Sequence, residues 1–192
     1  MKIGIDLDNT LANYAAPLRR LCAEEGINAT GQDPKLALRD WLRQSGRECV
    51  WTRLQGELYG PLMTEASLFP GAAEFLHKAG KADVSCAVVS HRTRYPIAGQ
   101  DHDLHASARH WLQLAGLGAI SLYLEETQSA KLARIADLRP DAFIDDLPEL
   151  LLNEEFPQSV RPILFDPQNH HPDLSNVDRV SSWQQLSQML LA

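Results

Sequence analysis

Several absences narrow what this chain of 192 residues can do. It has no run of about 18 apolar residues, the length a membrane-spanning helix needs, so no membrane partner is expected. Cysteine is scarce: Cys22, Cys49 and Cys86 are odd in number and scattered, which argues against a disulfide framework and makes the cytoplasm the expected compartment. Lys2 is followed almost at once by acidic residues, so no secretory signal is read there. No run of Lys or Arg occurs, and 25 acidic residues against 18 basic ones leave a formal charge of −7. A nucleic-acid polymer is therefore not an expected partner, whereas a small anionic substrate remains open if positive charge is gathered locally. Internal repeats and low-complexity tracts are also missing. The hydrophobic share of 44% suits one compact domain, or a core with a modest insertion.

What is present begins at the start of the chain. Lys2-Ile3-Gly4-Ile5 is a short apolar run of the kind that forms a buried parallel strand, and Asp6-Leu7-Asp8-Asn9-Thr10-Leu11 follows it. Two carboxylates thus stand at or just past the C-terminal end of a strand, the edge where open α/β sheets bind ligands. Alternate residues of an extended segment point the same way, so Asp6 and Asp8 are able to converge. Carboxylates this close repel unless a cation or a shared proton relieves them, and Mg²⁺ prefers such oxygen ligands. An isolated Asp-x-Asp would more simply cap the next helix. Here the pattern is longer and has partners downstream.

Beyond Thr10, apolar positions at spacings of three and four predict a helix from near Ala16, closed by Gly26. The stretch 28–34 is turn-rich and polar. Two further helical patterns run through Leu38, Trp41 and Leu42 to Gly46, and through Val50, Trp51, Leu54 and Leu58 to Gly60. No strand is expected between Ala15 and Ser67, which marks 15–67 as a helical insertion between core segments 1–14 and 68–192. In the second segment the spacing predicts a helix over Glu74–Lys78 with Ala73, Phe75 and Leu76 as its apolar positions. A strand over Val84–Val89 and a helix over Leu104–Ala115 follow. Further on come a strand over Ala119–Leu124, a helix over Ala130–Leu138, strands over Ala142–Ile144 and Val160–Phe165, and a last helix over Ser182–Leu191. Strands alternating with helices imply an α/β fold, a Rossmann-like parallel sheet with helices on both faces and right-handed crossovers.

Three downstream positions join the first motif. Ser90 ends the apolar Val88-Val89 run, where a hydroxyl faces the ligand crevice, although a serine there also commonly caps a turn. Lys131 stands near a helix start, which the helix dipole disfavours, so something else should want it there; a solvated lysine is the plain alternative. Asp145-Asp146 follows Phe143-Ile144, and adjacent carboxylates at a strand end are costly without a cation. Glu149 is a weaker substitute.

The series Asp6-Leu7-Asp8-Asn9-Thr10-Leu11, Ser90, Lys131 and Asp145-Asp146 resembles, in order, the four motifs of the haloacid dehalogenase (HAD) superfamily, most of whose members are Mg²⁺-dependent phosphatases. The resemblance implies that Asp6 is the nucleophile and Asp8 the general acid/base. It implies that Ser90 and Lys131 hold the phosphate, and that Mg²⁺ is bound by Asp6, the backbone carbonyl of Asp8 and Asp145, with Asp146 in or near the coordination sphere. Aspartate at position 8 disfavours dehalogenation, because halide leaves without a proton. The expected activity is hydrolysis of a small phosphorylated metabolite through an aspartyl-phosphate. Phosphotransfer of the mutase kind, or a catalytically silent phospho-ligand module, are the alternatives; filled motif positions speak against the last.

By the same resemblance the insertion is a cap that selects substrates. The first motif and the Asp-Asp pair are similar to those of 5′(3′)-deoxyribonucleotidases, which makes a nucleotide one candidate substrate. Trp41, Trp51 and Tyr59 have the chemistry to stack a base, but their helical spacing suits core positions better. His91-Arg92-Thr93-Arg94 adds a basic cluster after Ser90, where Arg92 or Arg94 is placed to grip a second anionic group; a solvated loop is the plain reading. The polar loop 95–103 is long for a crossover, as functional loops often are. His102, His105 and His110 lack the cysteine partners and spacing of a closed zinc site. The sequence does not reveal an oligomeric state.

Overall fold

The computed structural model describes residues 1–27 and 34–192, so most of the polar turn expected at 28–34 lies outside the described residues. In chain order the elements are β1 (Lys2–Ile5), β2 (Ala12–Asn13), α1 (Ala15–Glu24), α2 (Pro34–Gln44), α3 (Glu48–Tyr59), a 3-10 turn at Pro61–Glu65, and β3 (Ser67–Leu68). They continue with α4 (Ala72–Lys81), β4 (Ser85–His91), α5 (Leu104–Leu114), β5 (Ser121–Glu125), α6 (Gln128–Leu138), β6 (Ala142–Asp145), α7 (Pro148–Leu151), β7 (Arg161–Phe165), β8 (Asp178–Val180) and α8 (Trp183–Leu190). The chain divides into two compact units, one formed by 1–12, 68–92 and 119–192, the other by 13–67 and 93–118.

The first unit is built on a six-stranded sheet in the order β5-β4-β1-β6-β7-β8, every pair of which is parallel. The order reverses at β1, which lies between β4 and β6. A crevice opens at such a switch point, beyond the C-terminal strand ends, because the connections leave in opposite directions. The strands alternate their faces, and each face is covered. Val89, Phe143 and Leu164 pack with Leu132 and Ile135 of α6, with Leu150 and Leu151 of α7, and with Phe156. On β7 the next residue, Phe165, turns the other way and meets Phe69 (ring centroids 4.9 Å apart) and Trp183 (5.9 Å), and Trp183 lies on Phe75 of α4. Helices therefore cover both faces of the sheet, as the sequence pattern implied.

Two details of this unit were not visible in the hydrophobic pattern. Strand β8, at the sheet edge, is short and polar, and its Asp178 pairs with Arg161 of β7 at 2.6 Å instead of contributing an apolar run. Helix α4 is longer than Glu74–Lys78, and its buried residues are Ala72, Phe75 and Ala79, whereas Ala73 is exposed.

The regular elements of the second unit's described residues are helices, apart from the single residues Asn13 and Ser67 of the short β2–β3 ladder, and 93–103 is a loop. Gly26 takes φ +71°, the left-handed conformation that ends α1 at little cost. Leu38, Leu42, Trp51, Leu54 and Leu58 are buried, while Trp41 remains 40% exposed with the Arg47 guanidinium over its ring. Tyr59 meets Tyr14 edge-on, with centroids 5.4 Å apart. The segment 93–118 groups with the 13–67 insertion: Trp111 of α5 donates its Nε1–H to the carbonyl of Ala66 at 2.8 Å. The loop after Tyr95 runs so close to α3 that a Cβ on Gly56 would lie 2.8 Å from Pro96.

Candidate active site

Asp6, Asp8, Ser90, Arg92, Lys131, Asp145 and Asp146 lie in the first unit, at or just past the C-terminal ends of β1, β4 and β6 and in the first turn of α6, whereas Arg94 belongs to the second. Asp6 prolongs the β1–β6 ladder, its N–H donating to the carbonyl of Ile144 at 2.8 Å. The chain then folds back tightly: the N–H groups of Leu11 and Ala12 both donate to the carbonyl of Leu7 (3.1 and 2.8 Å), and that of Asn9 donates to Ala12 (2.9 Å). Asn9 adopts φ +64°, a conformation asparagine tolerates better than most side chains. Buried Leu7 and Leu11 anchor this loop, and Trp183 Nε1 donates to the carbonyl of Thr10 at 3.2 Å. Asp8 is therefore presented by a loop with little freedom.

Lys131 reaches this edge from the first turn of α6, where Thr127 caps the helix by accepting from the N–H of Ala130. Its ammonium is 2% exposed and donates at 2.6 Å both to Asp6 Oδ1 and to Asp145 Oδ2. The other oxygen of Asp145 accepts from the N–H of Leu147 at 2.9 Å. Ser90 Oγ donates to Asp8 Oδ2 at 3.2 Å, and Arg92 Nη2 donates to Asp8 Oδ1. Asp146 is half-buried beside Asp145. The structure thus brings together Asp6, Asp8, Ser90, Arg92, Lys131, Asp145 and Asp146. Glu149 is exposed on α7, and His102, His105 and His110 belong to the other unit.

Burial is the largest influence on Asp6 and raises its pKa well above the usual carboxylate range; Lys131 opposes this, and the charges of Asp145, Asp146 and Asp8 reinforce it. Burial also works against the charge on Lys131, but Asp145 and Asp6 outweigh it and hold the group as an ammonium. Lys131 and the equally buried Arg92 thus face four carboxylates, Asp6, Asp8, Asp145 and Asp146. Among the described residues, one group of acidic side chains converges closely enough to hold a metal: oxygen atoms of Asp6, Asp145 and Asp146 lie within 4.8 Å of one another. An all-oxygen donor set with surplus negative charge fits a hard divalent ion such as Mg²⁺.

Sequence reasoning missed one supporting residue. The Phe143 ring lies beneath the Lys131 ammonium, 5.5 Å from its centroid. Gly4 makes room for that ring, since a Cβ there would approach Phe143 to 2.4 Å. A glycine inside an otherwise apolar strand is the signal of such a close approach.

No family model and no curated protein matches the sequence. Solved structures do match along nearly the whole chain. A HAD-superfamily hydrolase from Ehrlichia chaffeensis superposes with a TM-score of 0.56 at 12% identity, over 99% of this chain and 95% of that one. YfnB of Bacillus subtilis, a HAD-hydrolase bound to magnesium, gives 0.59 at 11% identity, over 100% and 98%. CbbY from Rhodobacter sphaeroides in complex with phosphate gives 0.55 at 16% identity, over 96% and 95%. The chain therefore has the fold of the haloacid dehalogenase-superfamily hydrolases.

Proposed function

We propose that the protein is a phosphomonoester hydrolase of the HAD type, acting on a small phosphorylated metabolite through an aspartyl-phosphate at Asp6. The observation that carries this reading is the placement of Lys131 between Asp6 and Asp145, with Asp8 two residues away on a fixed loop. A buried, lysine-compensated carboxylate at a strand end beside a second carboxylate is an arrangement for attack on an anionic centre followed by proton transfer.

In the proposed reaction an oxygen of Asp6 attacks phosphorus while Lys131 offsets the combined negative charge. Ser90, whose hydroxyl is buried at the same edge, donates to a phosphoryl oxygen. Asp8 gives its proton to the departing alkoxide, and the regenerated carboxylate then takes a proton from the water that hydrolyses the acyl phosphate. Mg²⁺, held by Asp6, Asp145 and Asp146 together with the carbonyl of Asp8, would supply charge neutralisation for the approach of two anions. Two neighbours of the same fold support the ligand classes: one is bound to magnesium and another is in complex with phosphate. The helical segment 15–67 is proposed to act as the substrate-selecting cap.

Phosphate release from a panel of nucleoside monophosphates, sugar phosphates and short alkyl phosphates, with and without Mg²⁺, tests the reading. Mg²⁺-dependent release from at least one class, lost in Asp6→Asn, is the expected result. Conversion of a sugar phosphate to its isomer without free phosphate would show transfer instead, and inertness across the panel would remove the phosphatase assignment.

A further inference from the structure

We propose that Arg92 is a positioning residue for the acid Asp8 and not an anchor for a second anionic group of the substrate, an inference that rests on the phosphatase reading above. Ser90 and Arg92 are two residues apart at the end of β4, and the ladder continues that far, since the N–H of Arg92 donates to the carbonyl of Glu125 at 2.8 Å. Their side chains therefore project to the same face. Both meet Asp8, one at each oxygen: Ser90 Oγ at Oδ2 and Arg92 Nη2 at Oδ1.

Burial decides between the two roles for Arg92. The residue is only 3% exposed. A guanidinium taken out of water to this degree is costly without a partner, and Asp8 is such a partner already in place. Neighbouring Arg94 differs: more than half of its side chain is exposed, and it pairs with Asp103 at 3.1 Å. The tightly turned loop and the Arg92 and Ser90 contacts bear on where the Asp8 carboxyl points.

That direction matters for one atom transfer. As the bond from phosphorus to the leaving oxygen breaks, its electron pair goes to that oxygen. The Oδ–H bond of Asp8 then breaks and its proton bonds to the same oxygen, while the new bond joins Asp6 to phosphorus. Proton transfer needs the carboxyl within hydrogen-bond reach, about 2.6–3.2 Å, of the leaving oxygen. A displacement on the order of 1 Å costs about 100-fold. With one oxygen held by Arg92, the other serves the leaving group once Ser90 turns its hydroxyl to the phosphate.

The test compares wild type, Arg92→Gln and Arg92→Lys in rapid-mixing experiments with Mg²⁺. One substrate is an alkyl phosphate from the panel and the other is 4-nitrophenyl phosphate, whose leaving group needs no proton. Binding of inorganic phosphate is measured separately by calorimetry. In Arg92→Gln the alkyl phosphate is expected to react about 100-fold more slowly with KM and phosphate affinity within about twofold of wild type. The aryl phosphate should give a burst of about one equivalent of nitrophenol before turnover slows, because Asp8 is still required in the second step. Arg92→Lys should recover part of the alkyl rate, since it keeps the charge but not the fork. It also carries the test if the Gln variant fails to fold. A rise in KM or weaker phosphate binding with the alkyl rate retained would make Arg92 a substrate contact and overturn the inference alone, as would equal losses on both substrates without a burst. A wild type inert toward both substrates and the whole panel would overturn the phosphatase reading and this inference with it.

Discussion

The ammonium of Lys131 lies 2.6 Å from the Oδ1 atom of Asp6, and both side chains are almost wholly buried. Such a pair is held in place by desolvation as much as by attraction: each partner is expensive to bury alone. Lys131 also neutralises Asp145, so its removal leaves two buried carboxylates without a counter-charge. In Lys131→Met we expect a loss of about 3–5 kcal/mol in urea unfolding in the presence of EDTA. Millimolar Mg²⁺ should return part of that loss by mass action on the same carboxylates. A Lys131→Met protein as stable as wild type in EDTA would mean that the pair contributes nothing to the fold.

Asp6→Asn separates the chemistry from the scaffold. The substitution keeps the shape and removes the charge of the proposed nucleophile, so phosphate release should fall below a few per cent of wild type, an order-of-magnitude bound taken from nucleophile deletions. Wild type should melt higher with Mg²⁺ than with EDTA, and this difference should shrink in Asp6→Asn, which has lost one of the three converging carboxylates. Thermal unfolding with and without metal measures both effects. An unchanged Mg²⁺ response in the variant would take Asp6 out of the metal site.

The acid dependence of apo stability follows from the raised pKa of Asp6. A carboxyl in this condition binds its proton more readily folded than unfolded. Stability therefore rises as pH falls through the folded value, and the gain is complete below the unfolded value of about 4. In EDTA, Asp6→Asn should melt above wild type at pH 8, and the gap should close as the pH is lowered towards 5. For every pH unit by which the folded pKa exceeds the unfolded one, the effect is roughly 1.4 kcal/mol, or about 3–6 °C for a chain of this size. A gap that widens on acidification would contradict the direction assigned to Asp6.

Much of the candidate site is legible in the sequence, because chemistry and strand ends coincide in an α/β sheet. Asp6, Ser90 and Asp145 each follow an apolar run, and the sheet order brings those three runs side by side as β1, β4 and β6. Lys131 was recognisable because a cation near a helix start needs a reason. Pairings between side chains were not legible. That Arg92 turns inward to Asp8 depends on how far β4 continues past Ser90, which the polar residues His91 and Thr93 conceal. Strand β8 escaped notice for a related reason: an edge strand three residues long, carrying Asp178 and Arg179, has neither the length nor the apolar pattern that marks a strand. The grouping of α5 with the helical segment also lies beyond a periodicity argument, because it depends on contacts such as Trp111 to Ala66 between residues far apart in sequence.

The division of labour between the two aspartates of the first motif gives the last prediction. Asp6 is buried and bound to Lys131, whereas Asp8 is half-buried on its loop and accepts from Ser90 and Arg92. In the proposed mechanism the second is the one that exchanges a proton with the leaving group and then with water. In Asp8→Asn, transfer from an alkyl phosphate should fall by about 100- to 10,000-fold, the usual range for loss of a general acid. From 4-nitrophenyl phosphate the first transfer should be nearly intact, because nitrophenolate departs unprotonated. Hydrolysis of the aspartyl-phosphate needs the base in either case, so the aryl substrate should yield about one equivalent of nitrophenol per site and then stall. The stalled protein should be heavier than the free chain by one phosphoryl group in intact mass spectrometry, and that mass should be absent in Asp6→Asn. Equal slowing of both substrates, with no burst and no added mass, would remove Asp8 from the acid/base role and leave it as part of the loop that presents Asp6.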